Sequence, residues 1–127
     1  MLKKITTVLF IVAVLIACEA KKNTNSYSFK SGYFKSYLEN KRDSSSFYRV
    51  HDLQIETYKN KTDTFKITWK NKFEFSLLKV NPKSKLDSTN FVVKIKKIKK
   101  NTYDFEAGYE NSNFKQKGST YRVNNKQ

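Results

Sequence analysis

The sequence predicts an all-β domain: a single curled antiparallel sheet, or a small barrel or half-barrel of about six to eight strands. Three observations predict it. Apolar residues recur at every second position in several successive runs. Short polar links rich in Lys and Asn separate those runs. Past residue 18 no long stretch repeats apolar residues at helical spacing, so no helix is available to cover an apolar sheet face. Such a sheet must then curl on itself or pack on a second sheet.

The first segment, 28–38, is open to two readings. Tyr33, Phe34, Tyr37 and Leu38 fit one helix face, while the aromatic-rich run Phe29 to Leu38 also fits a strand kinked at Gly32. Phe47 to Val50 and Leu53 to Tyr58 both favour strand, with His51-Asp52 as a bend or bulge between them. Phe65, Ile67 and Trp69 alternate with polar neighbours, and so do Phe73, Phe75 and Leu77. The polar link Lys70-Asn71-Lys72 joins the two runs into a hairpin. The longest loop spans 81–90 and holds the one proline, Pro82. Phe91, Val93 and Ile95 begin another strand, but Ile98 falls on the opposite parity, which predicts a β-bulge near Lys96-Lys97. Lys99-Lys100-Asn101 turns this strand into the run Tyr103, Phe105, Ala107, Tyr109, and a short last strand is expected over Ser119 to Val123. There is no internal repeat and no second domain.

The amino terminus carries a different signal. Lys3 and Lys4 precede 13 uncharged residues, Ile5 to Ala17. A helix of that length spans about 20 Å, short of the roughly 30 Å hydrocarbon core, so the segment reads as an export signal rather than a permanent span. Leu15-Ile16-Ala17-Cys18 has the form of a bacterial lipobox, in which cleavage before the cysteine exposes a thiol and an amino group for acylation. Cys18 is the only cysteine of the chain, which also excludes an internal disulfide. The plainer alternative is an ordinary signal peptide with an incidental cysteine. The expected organisation is a signal peptide over 1–17, a flexible tether over 18–27 from a lipidated Cys18, and an antiparallel β domain over 28–127. Two or more acyl chains would hold such a domain stably at a membrane. The expected location is extracytoplasmic, anchored to a bacterial membrane, the outer membrane before the inner.

Composition narrows the function classes. The 127 residues carry a formal charge of +15, from 26 Lys and Arg against 11 Asp and Glu. Nineteen aromatic residues are enough for a packed core and exclude a disordered tail. One histidine and three glycines disfavour metal sites and nucleotide-binding loops, and no cofactor or metal is expected. Lys94, Lys96, Lys97, Lys99 and Lys100 form a basic patch. A solvated face is its plainest reading, and an anionic lipid or envelope polymer is its candidate partner. Nucleic acid is not expected, because Arg, the residue suited to bidentate phosphate and base contacts, numbers 3 against 23 Lys.

Two further groups are candidate site residues. Gln54 and Glu56 stand two apart and share one strand face; facing inward with Arg49, they would form a polar floor for a small ligand. The alternative is a salt bridge that fixes strand register. Phe65, Trp69 and Phe75 line either a ligand pocket or a plain core. His51 beside Asp52 would be the start of a base–orienter pair, but adjacent strand residues face opposite sides, and no serine lies in a nucleophile-elbow pattern. No enzyme activity is expected.

Four stretches carry a family resemblance: Phe29 to Phe34; Arg49 with Gln54-Ile55-Glu56; Phe65 to Trp69 with Glu74 to Leu77; and Val92 to Ile95. In their order and spacing the chain resembles a family of small lipoproteins of the Bacteroidota. The resemblance implies an exported β-rich domain of unknown function and tips segment 28–38 toward strand. Such proteins usually carry a cysteine four residues after the tryptophan, where this chain has Phe73, so no thiol role at that place carries over. They are often labelled as topoisomerase-related; a chain this short, with an export signal and no phosphate-binding glycine loop, does not fit that label. The expected function is a lipid-anchored, non-enzymatic binding or envelope-structural module whose protein partner is unknown. The alternative is a small-ligand carrier of lipocalin-like build.

Overall fold

The computed structural model describes residues 29–124. The signal segment, Cys18 and the tether expected after it lie outside the described residues. Eight strands run in sequence: β1 (Gly32–Leu38), β2 (Ser44–Val50), β3 (Leu53–Tyr58), β4 (Lys61–Asn71), β5 (Glu74–Lys79), β6 (Phe91–Lys99), β7 (Thr102–Tyr109) and β8 (Gln116–Val123). Each pairs antiparallel with the next, and β1 pairs with β8 from Tyr33↔Val123 to Leu38↔Gly118, so the sheet closes into a barrel. Closure satisfies both edges and removes the need for a covering helix.

Alternation sorts the side chains. Phe34, Phe47, Ile67, Phe75, Leu77, Val93, Ile95, Tyr103 and Ala107 are buried, while Lys94, Lys96, Lys97, Lys99 and Lys100 are exposed. The parity slip is real: the β6–β7 register shifts between Ile95 and Lys97, which returns Ile98 to the inner side. The β2–β3 hairpin turns at His51, whose φ is 55°, and Lys59 and Asn60 turn β3 into β4 with φ of 47° and 65°. Two positive φ values in a two-residue link mark the mirror-image turn that suits the twist of paired strands.

Within segment 28–38, Gly32–Leu38 is strand rather than helix, with Gly32 at its start at φ 114°. Two expectations need correction. Phe73 is not a strand residue in the core; it sits in the β4–β5 turn, 55% exposed. Asn71 Oδ1 accepts its backbone N–H at 2.8 Å, and the register slips between Trp69 and Asn71, so the turn consumes Lys72 and Phe73. The last strand is also longer than expected, because it begins at Gln116 rather than after Gly118.

Candidate functional site: the barrel interior

One end of the barrel is shut. Phe29, fully buried just before β1, packs edge-on against Tyr103 with ring centroids 4.9 Å apart and lies 6.2 Å from Phe34. Arg122 of β8 covers this plug from outside. Its guanidinium lies 4.8 Å from the Phe34 ring centroid and donates from Nη1 to the Ser31 carbonyl at 3.1 Å. Partial burial and the nearby charge of Arg49 both act to lower the Arg122 pKa, burial being the larger cause.

Above the plug lies a cavity of about 580 Å³. It reaches from Arg49 and Tyr103 to Leu86, Asp87, Ser112 and Phe114 in the β5–β6 and β7–β8 loops, so its mouth is at the end opposite Phe29. Ligand pockets in proteins fall in the same size range. Eight strands give an interior just wide enough to be filled by side chains or to hold one small ligand. Here Gln116 and Thr120 of β8 line the interior with an amide and a hydroxyl in place of rings, and Gly108 of β7 borders it without a side chain. Phe47, Phe65, Phe75, Leu77, Phe91 and Val93 supply the apolar wall.

The structure brings Arg49, Gln54 and Glu56 together on the inner face. Arg49 and Gln54 are cross-strand partners, as are Phe47 and Glu56. Arg49 is 3% exposed, and three of its N–H groups have acceptors. Nε donates to Gln54 Oε1 at 2.9 Å, Nη1 to the Phe29 carbonyl at 2.8 Å, and Nη2 to the Tyr103 hydroxyl at 3.0 Å. Five aromatic rings surround its Cζ, from Phe75 at 4.6 Å to Tyr103 at 5.9 Å. The cation is thus held by neutral groups and ring faces. The salt bridge weighed from the sequence is absent among the described residues: Gln54 stands between the charges, donating from Nε2 to Glu56 Oε2 at a long 3.4 Å. Desolvation raises the Glu56 pKa above its ordinary value; hydrogen bonds from Ser45 and Gln54 and the charge of Arg49 pull the other way without cancelling it.

The mouth carries a charged cluster. Lys79 lies 3.4 Å from Asp63 and 3.7 Å from Asp87. Asp87 is held below its usual range, first by the Lys83 backbone N–H it accepts at 3.0 Å and then by Lys79.

The aromatic candidates divide. Phe65 and Phe75 line the cavity, whereas Trp69 packs behind Phe75, 4.7 Å away, on the core side. His51 and Asp52 are exposed at the β2–β3 turn and face no site. Among the described residues no group of His, Cys, Asp and Glu is placed to hold a metal ion. Tyr103, Phe29 and the pair Ser36–Thr120, whose hydroxyl oxygens are 2.6 Å apart, belong to the interior but were not singled out from the sequence. Alternation marks Tyr103 as a core ring, but nothing local reports the role of its hydroxyl, since Arg49 is 54 positions away. No protein-family model matches the chain, and neither a curated protein nor a solved structure matches it.

Proposed function

We propose that the protein is a lipid-anchored envelope lipoprotein whose barrel binds a small ligand. The cavity of about 580 Å³ inside the closed barrel carries this reading. It favours the carrier over a purely structural module, because a module that only contacts partners through its surface gains nothing from an unfilled interior. A packed interior would have been the more stable choice, since missing side-chain volume costs about 24 cal/mol per Å³. The anchor rests on Leu15-Ile16-Ala17-Cys18 at the end of the uncharged run that begins at Ile5. The exposed lysines of β6 are available to anionic headgroups or envelope polymers near such an anchor.

The test uses octanol, titrated by calorimetry into the full chain held in nanodiscs, with empty nanodiscs as reference. Saturable one-to-one binding is expected. Val93→Phe places a ring in the cavity and should weaken octanol at least about tenfold, a loss of 1.4 kcal/mol or more, while the thermal transition persists. Equal uptake by the wild type and Val93→Phe would contradict the reading.

A further inference from the structure

We propose that the ligand is an amphipathic anion, a carboxylate on an apolar body, with its head group at Arg49. This rests on the cavity being a ligand site and adds the chemical class of the occupant. Arg49 is always protonated, because the guanidinium does not titrate in proteins. It offers five N–H donors, of which three are engaged, all with neutral acceptors. Among the described residues no carboxylate lies within ion-pair distance of it. A buried cation without a counter-ion is costly, and the surrounding rings return only part of that cost.

The neighbouring hydroxyl points to the same chemistry. Tyr103 is 1% exposed, and its oxygen accepts from Arg49. Its own proton has no acceptor among the described residues. Arg49 and Tyr103 both border the cavity, so its floor combines a positive charge with surplus donors. An Arg–carboxylate pair is the charge-assisted, two-pronged contact that satisfies such a floor. Glu56 does not supply it, since Gln54 separates the two side chains.

The walls define the rest of the ligand. From the floor to the mouth, Phe47, Phe75, Leu77, Phe91 and Val93 present apolar surface. An extended apolar body would replace water against these rings. At the mouth the single Lys79 faces both Asp63 and Asp87, and Asp43 also borders the cavity, so the mouth itself does not attract an anion and the preference must come from Arg49 at the floor.

The experiment compares octanoate with octanol, which share an apolar body and differ in head-group charge, on the full chain in nanodiscs. Octanoate should bind about tenfold or more tighter than octanol, the worth of a hydrogen bond to a charged group. Arg49→Met, which keeps apolar packing, should abolish that preference and leave octanol unchanged. Glu56→Gln removes the other interior charge and should tighten octanoate alone, which keeps the test alive if Arg49→Met does not fold. Equal affinity for the two probes, or a preference that survives Arg49→Met, overturns the anion assignment while the ligand site stands. Failure of both probes to bind overturns the ligand site as well.

Discussion

Arg49 and Glu56 share the interior of the barrel without touching: Gln54 accepts from the arginine at 2.9 Å and donates to the carboxylate at 3.4 Å. Two opposite charges held apart by one amide are poised differently from an ion pair. The arginine keeps two of its five donors without an acceptor among the described residues, and the carboxyl group is left with desolvation as the dominant influence on its pKa. The consequences of this arrangement can be measured.

Glu56 makes stability depend on pH. Its folded pKa lies above the unfolded value, near 4.5. Between those two values the folded state binds more protons than the unfolded chain, so stability falls as pH rises through that window. The penalty is then fully present above the folded pKa. Glu56→Gln should raise the melting temperature by a few degrees at pH 8 and flatten the slope above pH 4.5. A lower melting temperature for the variant at pH 8 would show that its carboxylate stabilises the fold through Arg49.

Two of the five aromatics around Arg49, Phe34 and Trp69, should differ in their worth. Phe34 is 1% exposed, stacked 5.3 Å from Phe47 and covered by Arg122. Phe34→Ala should cost about 3–5 kcal/mol. Trp69 is only partly buried against the core, and Trp69→Ala should cost less, about 2–3 kcal/mol. Urea denaturation of both variants checks the order.

The barrel seam depends on a missing side chain. A Cβ at Gly118 would collide with the Tyr37 carbonyl across the β1–β8 pairing and approach Phe105 Cζ to 2.7 Å. Backbone cannot move aside there without opening the seam. Gly118→Ala should therefore destabilise by at least about 2 kcal/mol and speed amide exchange at Tyr37 and Ser119. A neutral effect on both readouts would place the seam elsewhere.

Cys18 tests the anchor separately from the barrel. Cys18→Ser should leave the precursor uncleaved and without lipid, as read by mass spectrometry of the whole protein. Normal maturation of that variant would contradict the anchor.

Much of this architecture is legible in the residues, and the reasons for the rest are physical. Period two reveals the strands whose inner positions are apolar, and the slip from Ile95 to Ile98 reveals the bulge, because a single inserted residue must reverse parity. The same rule misplaces Phe73: alternation runs unbroken through the turn, and only the Asn71 side chain accepting its N–H shows where the strand ends. The front of β8 is silent for the opposite reason. Its inner positions are Gln116, Gly118 and Thr120, so a strand that borders a cavity shows little apolar period. Strand spacing placed Gln54 and Glu56 on one face, and Arg49 lies directly across from Gln54. The third partner of Arg49, the Tyr103 hydroxyl, depends on closure of the barrel, which no local pattern records.

The most direct measurement is nuclear Overhauser contact between octanol and the methyl groups of isotopically labelled protein. A ligand within the barrel must give contacts to Leu77 and Val93, which line the cavity. Contacts confined to the exposed Val50 and Val80, with none to Leu77 or Val93, would contradict a ligand-binding interior.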